Sequence, residues 1–123
     1  MTGRVRDQYN VGTMTRRTSL SELAPCDWLE LAREDAETLG LADGAAARVI
    51  SRWGEIEAPV RRSDRIVQGT CFLSFHHPAS HTNRLTGPQR DPESNCPEYK
   101  VTAVRVRAQV PAAAAPPSAA RRD

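Results

Sequence analysis

The residues best suited to bind a ligand lie at the start of the chain, in residues 2–18, TGRVRDQYNVGTMTRRT. This segment combines threonine hydroxyls and four arginines with Gly3 and Gly12, which let the backbone approach a ligand closely. Hydroxyls, main-chain N–H groups and guanidinium forks are the donors that a pyrophosphate or sugar phosphate requires. The segment therefore suits an anionic, hydroxyl-rich ligand. On chemistry alone, a basic and disordered N-terminus is an equally good interpretation.

Two polar residues further along the chain would complement this segment. Asn83 presents an amide donor and an acceptor, which match the edge of a heterocycle such as a pterin or a purine. Lys100 is the lone lysine among 17 basic residues, and it can set a point charge against a phosphate or a carbonyl. The structural alternative for Asn83 is to cap a turn, and for Lys100 to extend from a strand along the surface.

Cysteines and histidines are concentrated in one part of the chain without the spacing of a metal site. The stretch contains Cys71, His76, His77, His81 and Cys96, but no C-x-x-C pair, and the two histidines four residues apart have no helical context. Buried cysteines and loop histidines are the favoured interpretation. A nucleophilic Cys71 activated by His76 is conceivable, but a cysteine in an apolar strand is more often a small core residue.

Size and composition restrict the class of protein. A chain of 123 residues and 13.5 kDa has room for one domain, which excludes a multi-domain enzyme. Hydrophobic residues make up 39% and aromatic residues 5%, so a modest core of Leu, Val, Ile and Ala is expected.

Charge and cysteine usage indicate a cytoplasmic protein that neither binds nucleic acid nor enters a membrane. The net charge is only +2, with a local excess of +3 in residues 1–17 and of −6 in residues 18–47. There is no apolar run of 18 residues and no signal-peptide pattern. Three cysteines, an odd number, fit a reducing compartment.

The elements that would position these residues are mostly short strands. Acidic residues in the first turn and Gly40 at the end predict one helix over residues 33–39. Alternating or largely apolar patterns predict strands at residues 46–52, 55–62, 70–75 and 99–107, the first two forming a hairpin. The long loop 78–98 is of a length that usually carries function. Residues 108–123 are rich in Ala and Pro and predict a disordered tail.

Taken in order, four stretches of the chain resemble the C-terminal cofactor-binding domain of the molybdopterin oxidoreductases. The resemblance is strongest to the formate dehydrogenase alpha subunit and then to the periplasmic nitrate reductases. It is carried by TGRVRDQYNVGTMTRR, REDAETLGLADGAAARVISRWGEIEAPV, GTCFLSFHH and NRLTGPQRDPESNCPEYKVTAVRV, which span nearly all of residues 2–107. It implies a mainly β fold, a six-stranded double-psi β-barrel with one or two short helices, over residues 1–107, followed by the tail 108–123.

The resemblance also implies a function. The chain would bind molybdopterin guanine dinucleotide, as the C-terminal domain or a small subunit of a molybdenum or tungsten formate dehydrogenase that converts formate to carbon dioxide. The remaining domains or subunits would be its partners and would supply the metal ligands, so no catalytic or metal-ligating residue is expected here. The alternatives are the same domain of a nitrate reductase, or a stand-alone double-psi barrel that serves as a binding or assembly module without catalysis.

Residue by residue, the resemblance implies one main contact segment and three further contacts. Residues 2–11 would be the main segment, which Thr13, Thr15 and Arg16 continue. Phe75 would lie near the substrate side, and Asn83 and Lys100 would hydrogen-bond the cofactor. The full set of implied cofactor-binding residues is Thr2, Gly3, Arg4, Gln8, Tyr9, Asn10, Thr13, Thr15, Arg16, Phe75, Asn83 and Lys100.

The chain departs from the family pattern at three positions. Asn10 and Val11 stand where the family usually has histidine and threonine, which implies the loss of one ring contact and one hydroxyl contact. His77 stands where formate dehydrogenases commonly carry an aromatic or apolar residue. Met1 falls within the first implied barrel strand, so we expect that strand to be short.

Overall fold

Six short β-strands, joined in one curled sheet, form the fold. In the computed structural model, residues 1–109 are described. The strands are β1 (Thr2–Gly3), β2 (Leu29–Leu31), β3 (Ala46–Ser51), β4 (Glu55–Arg62), β5 (Cys71–Ser74) and β6 (Val104–Ala108). The helices are α1 (Leu20–Leu23) and α2 (Arg33–Thr38), with 3-10 turns at Thr15–Arg17, Pro78–Ser80 and Thr82–Leu85. The prediction of a mainly β, six-stranded domain is confirmed.

The sheet order β1-β5-β2-β4-β3-β6 mixes parallel and antiparallel neighbours. The pairs β1–β5 and β2–β4 are parallel, and the other three pairs are antiparallel. The amide of Thr2, on edge strand β1, donates to the carbonyl of Lys100 at 2.9 Å. Because Lys100 lies just before β6, the other edge strand, this bond draws the two edges of the sheet towards each other.

The core contains aliphatic side chains, as the composition predicts. Leu29 of β2 lies opposite Val60 of β4 and Leu73 of β5, and all three side chains are buried. The buried apolar residues are Leu29, Leu31, Ala32, Ala36, Leu41, Ala47, Val49, Ile56, Ala58, Val60, Leu73 and Leu85. No aromatic residue is in this set, so the density of the core depends on how closely the aliphatic side chains fit.

The helix and the hairpin predicted from local patterns are both present. Helix α2 ends before Gly40, whose φ of +66° suits a glycine, and the amide of Leu41 returns to the carbonyl of Ala36 at 2.8 Å. Strands β3 and β4 pair with Val49 opposite Ile56, which places the buried side chains of both strands on one face.

The last strand differs from its prediction at both ends. It begins at Val104 rather than residue 99, because its partner β3 ends at Ser51, directly opposite Val104. The carbonyls of Tyr99 and Lys100 accept hydrogen bonds from Thr2 instead. The strand also continues through Ala108, one residue beyond the predicted domain boundary, and the rest of the predicted tail, residues 110–123, lies outside the described residues.

Strand β2 and helix α1 were not predicted. Strand β2 has three residues, too few to show alternation, and it exists because it pairs with both β4 and β5. None of the helices formed by residues 1–109 has the length and apolar character that a membrane-spanning helix needs.

The packing of Leu29 gives the first testable prediction. Leu29 is 0% exposed, and Leu29→Ala should lower the free energy of unfolding by about 2–5 kcal/mol through lost burial and a residual cavity. The matched control is Leu23→Ala, since Leu23 is 67% exposed and should change stability by less than about 0.5 kcal/mol. Urea denaturation followed by circular dichroism measures both. Equal losses in the two variants would contradict the packing described.

Candidate functional site

A buried histidine ties residues 4–18, hereafter the N-terminal arm, to the sheet. His76 lies two residues after β5 and is 0% exposed. Its Nε2 accepts a hydrogen bond from the Val5 amide at 2.9 Å, and its Nδ1 donates to the Asn10 carbonyl. Because Nε2 must accept and Nδ1 must donate, these partners require the neutral imidazole protonated on Nδ1.

The backbone around His76 is held by a buried carboxylate. Asp27 is 3% exposed, and its Oδ1 accepts from Ser74 Oγ at 2.6 Å and from the His76 amide at 3.0 Å, while Oδ2 accepts from the His77 amide at 2.8 Å. Burial alone would raise the pKa of Asp27, but these donors outweigh that effect and hold the pKa below its ordinary value. Asp27 is therefore an ionised group whose hydrogen bonds fix the chain from β5 to His77.

The arm is a defined loop with its own hydrogen bonds. Gln8 is buried and its Oε1 accepts from the hydroxyl of Thr15, whose Oγ1 in turn accepts from the Tyr9 amide at 3.2 Å. The Gly12 amide donates to the Tyr9 carbonyl at 2.8 Å, and Arg16 Nε donates to the Gly12 carbonyl at 3.1 Å. The side chains of Gln8 and Thr15 thus shape the arm from within.

Other implied contact residues of the arm have side chains that face solvent. Tyr9 is 57% exposed, and Arg4, Asn10 and Thr13 are also exposed. Asn10 has a φ of +49°, a left-handed conformation that asparagine tolerates better than most residues. These four residues offer a hydroxyl, an amide, a phenol and a guanidinium to a ligand.

A pocket of about 410 Å³ adjoins the arm. It brings Phe75 and Asn83, two of the implied contact residues, into one wall. His81, which separates two 3-10 turns, has a φ of +50° and lies on the same wall. The lining consists of Val11, Phe75, His77, Pro78, Ser80, His81, Thr82, Asn83 and Arg84.

Asn83 and Lys100 do not take the structural roles considered as alternatives. In the turn that follows Asn83, the hydroxyl of Thr86 donates to the backbone carbonyl of Asn83 at 2.9 Å. The capping bond of this turn therefore uses the backbone of Asn83 and not its side-chain amide. Lys100 precedes β6 and its exposed side chain does not extend from a strand. The ring of its neighbour Tyr99 packs edge-on to Phe75 at 6.4 Å between centroids, which places this segment beside the pocket wall.

Thr2 and Gly3 are used in closing the sheet. Thr2 donates its hydroxyl to the Tyr99 carbonyl and its amide to the Lys100 carbonyl. A Cβ on Gly3 would come within 2.8 Å of the Phe72 ring, so the close packing of β1 on β5 needs a glycine there. The structure therefore gives both residues a role in the fold, apart from any ligand.

The cysteines and histidines do not form a metal centre or a nucleophilic pair in residues 1–109. This part of the chain holds no group of three or more His, Cys, Asp or Glu placed to bind a metal ion. Burial raises the pKa of Cys71, which disfavours the thiolate. Both ring nitrogens of His76 are already bonded to the arm, so His76 is not available to Cys71 as a base.

The groups present fit a pterin dinucleotide. The pocket wall supplies an aromatic ring, an amide and a guanidinium from Phe75, Asn83 and Arg84, which suit a flat heterocycle with a polar edge. The arm supplies the exposed guanidinium groups of Arg4 and Arg17, which suit a pyrophosphate. Each part of such a ligand thus has matching chemistry in the described residues.

A curled six-stranded domain that holds an arm of cationic and hydroxyl donors beside a pocket with both apolar and polar lining has the features of a binding domain for a nucleotide-like ligand. Residues 1–103 match the family described as "Molydopterin dinucleotide binding domain". The chain belongs to this family, whose ligand class is the molybdopterin dinucleotide. The predicted resemblance is confirmed, and so is the predicted cofactor, molybdopterin guanine dinucleotide with molybdenum or tungsten.

The chain is more similar to formate dehydrogenase alpha subunits than to nitrate reductases, which is the order that the motifs predict. The chain is 40% identical over 106 residues to the F420-dependent formate dehydrogenase 2 subunit alpha of Methanococcus maripaludis, covering 85% of this chain and 16% of the relative. It is 36% identical over 112 residues to the assimilatory nitrate reductase of Haloferax mediterranei, covering 85% and 14%. The chain therefore spans about a sixth of the length of these relatives.

A solved structure supports the fold. Acetylene hydratase from Pelobacter acetylenicus superposes with a TM-score of 0.71 at 15% identity, covering 88% of this chain and 18% of that one. At this identity the likeness concerns the fold alone.

Sequence reasoning missed Asp27 and gave His76 no role in binding. The available signal was position: Asp27 lies just before the apolar residues of β2, and His76 lies just after those of β5. A charged residue at the end of a buried strand needs partners, and the two strands are neighbours in the sheet.

Gly12 provides a test of the contact between the arm and His76. A Cβ on Gly12 would come within 2.8 Å of the His76 carbonyl oxygen, whereas Gly40 has an equal φ of about +66° and open space around it. Both variants carry roughly 1–2 kcal/mol of strain from the left-handed backbone conformation. Gly12→Ala should therefore lower the free energy of unfolding by more than Gly40→Ala does. Thermal unfolding of both variants measures the difference. If Gly40→Ala lowers the unfolding temperature as much as Gly12→Ala or more, Gly12 does not lie as close to the His76 carbonyl oxygen as described.

Asp27 provides a test by pH. At neutral pH, Asp27→Asn should lower the free energy of unfolding by roughly 2–3 kcal/mol, because an amide cannot accept all three hydrogen bonds. The pKa of Asp27 in the folded protein lies below the ordinary 3.8. The carboxylate therefore contributes its full stabilisation of the folded state at pH values well above 3.8, and this contribution is lost as the pH falls through the folded-state pKa.

The difference between wild type and Asp27→Asn should therefore shrink as the pH is lowered from about 5 to about 2.5. Urea titrations across this range measure it. The control is Asp64→Asn, since Asp64 is exposed in its pair with Arg33 and should have a much smaller effect. A difference that stays constant with pH would show that the Asp27 carboxylate is not the source of the stability.

Proposed function

We propose that this chain is the cofactor-binding domain of a formate dehydrogenase-type oxidoreductase. It would bind molybdopterin guanine dinucleotide and orient it, without contributing a catalytic residue. The observation that carries the proposal is the placement of the arm beside the Phe75 and Asn83 pocket, joined through His76. The higher identity to formate dehydrogenase alpha subunits than to nitrate reductases supports formate as the substrate of the whole enzyme.

Different residues would bind different parts of the ligand. Arg4, Arg16 and Arg17 would offset the charge of the pyrophosphate, with charge-assisted hydrogen bonds worth roughly 1.5–3 kcal/mol each where water is excluded. Asn83 would bond the edge of a heterocycle, and Lys100 a phosphate or carbonyl. Gln8 and Thr15 would act by holding the arm in shape, since their side chains bond each other.

The bound cofactor would supply the redox-active metal at which formate is oxidised to carbon dioxide. The other domains or subunits of the oxidoreductase would supply the metal ligands and the path for electrons, since this chain spans about 16% of its formate dehydrogenase relatives. The task left to this chain is binding, orientation and exclusion of water from one side of the cofactor.

Two finer features belong to the same proposal. The two parallel strand pairs and the link from Thr2 to Lys100 support a double-psi β-barrel. Three unpaired cysteines, Cys26, Cys71 and Cys96, support a reducing, cytoplasmic location.

The role of Asn83 can be tested with guanosine diphosphate, which carries the guanine and pyrophosphate of the cofactor. Asn83→Asp should raise the Kd of the full chain for this probe at least about fivefold, through a lost donor and an added negative charge. Asn95→Asp is the matched control, because Asn95 is an exposed asparagine in the same long loop and is not in the pocket wall. Its Kd should stay within about twofold of wild type. Isothermal titration calorimetry gives both constants.

Two results would count against the function. If Asn83→Asp and Asn95→Asp raise the Kd for guanosine diphosphate equally, the pocket is not part of the binding site. Failure of the wild-type chain to bind millimolar guanosine diphosphate would favour a module that has kept the fold and lost the ligand.

A further inference from the structure

We propose that His76 is the positioning residue that sets the arm against the pocket, through a ring that accepts at Nε2 and donates at Nδ1. The consequence for cofactor binding rests on the function proposed above, whereas the placement of the arm does not. The His76 side chain does not need to contact the ligand for this role.

One rigid ring bridges two points of the arm. Val5 and Asn10 are five residues apart, and each gives a backbone group to a different nitrogen of the same imidazole. A flexible side chain could satisfy one of these groups, but a planar ring with two fixed nitrogens defines the separation of both. The loop between Val5 and Asn10 is thereby closed on the sheet.

The main chain of His76 also contacts the arm. The space beside its carbonyl oxygen is occupied by Gly12, where a Cβ would come within 2.8 Å of that oxygen. The arm is therefore held at the ring and at the backbone of one residue. A shift of His76 would move Val5, Asn10 and Gly12 together.

The pocket wall and the anchor of the arm belong to one short segment. Phe75 and His77 line the pocket, and His76 between them is fully buried and bonded to the arm. Consecutive side chains of an extended segment point to opposite sides, which explains the division of roles. Since Asp27 holds the amides of His76 and His77, the pocket and the arm share one fixed support.

Loss of the ring would leave the Val5 amide and the Asn10 carbonyl without their partners. Groups of this kind regain hydrogen bonds most readily from water, which requires the arm to move away from the sheet. Val11 follows Asn10 and lines the pocket, so the pocket would lose part of its wall in the same movement.

The test uses the full 123-residue chain, without any ligand, and hydrogen exchange of its amides measured by NMR. In His76→Phe the amides of the arm, Val5 above all, should exchange at least about tenfold faster, while those of β3 and β4 keep their protection. His76→Gln places an acceptor near the position of Nε2 and should restore protection at Val5. His76→Asn lacks an atom at that position and should not. A residue that merely fills space would make Gln and Asn equivalent.

A spectroscopic measurement covers the case in which His76→Phe fails to fold. The ring 15N shifts of His76 in the wild-type chain at neutral pH should show a protonated Nδ1 and an unprotonated Nε2. A ring protonated on Nε2, or on both nitrogens, would overturn the proposal. So would a folded His76→Phe variant whose arm amides exchange at the wild-type rate.

These results are separable from the proposed function. If the wild-type arm is protected through His76 but the chain does not bind guanosine diphosphate, the function is wrong and the positioning role stands. If the chain binds guanosine diphosphate and His76→Phe changes neither the exchange nor the Kd, the function stands and the positioning role is wrong.

Discussion

The hydrogen bonds of the buried Asp27 carboxylate are the interaction on which the arm and the pocket depend. Asp27 lies two residues before β2, the strand that pairs with β5, and its carboxylate accepts three hydrogen bonds from the short segment that ends at His77. These bonds fix the backbone of His76, whose ring in turn holds the arm at Val5 and Asn10. An ionised group buried without partners would be strongly unfavourable, so the segment and the carboxylate stabilise each other only in this arrangement.

The domain thus has two regions held together by different forces. The sheet is stabilised by aliphatic packing, with Leu29, Val49 and Val60 almost completely buried. The candidate site is built from irregular backbone. The hydrogen bonds that Thr15 donates to Gln8 and Arg16 donates to Gly12 maintain the arm, and two 3-10 turns form the far side of the pocket. A ligand that contacts both the arm and the pocket would bind across the point where Asp27 and His76 connect them.

Local features of the fold could be predicted from the sequence, and features that depend on distant partners could not. Helix α2 and the β3–β4 hairpin were predicted because Gly40 and the alternation around Val49 act within a few residues. Strand β2 was not, because Leu29 to Leu31 form a strand only by pairing with residues that lie 31 or more positions further along the chain, as Leu29 does with Val60. The same reason explains why β6 was predicted over residues 99–107, since the strand extends only where it pairs with β3, from Val104 to Ala108.

The residues of the candidate site divide in the same way. The family resemblance named Phe75 and Asn83, which the structure places in one pocket, because a resemblance carries information about distant contacts that local patterns lack. Their contact with the cofactor stays a prediction. The role of His76 in holding the arm was not foreseen, because its partners are backbone groups of Val5 and Asn10, which have no signature in the side chains.

In the proposed function, the arm and the pocket form one site for a guanine dinucleotide. The most direct measurement is chemical-shift mapping of the 15N-labelled full chain during a titration with guanosine diphosphate. We expect the amides that shift to lie in residues 4–17 and 75–84 together, with a common saturation curve. Shifts confined to the outer face of the hairpin and β6, around Arg48 and Arg107, or separate curves for the arm and the pocket, would contradict it.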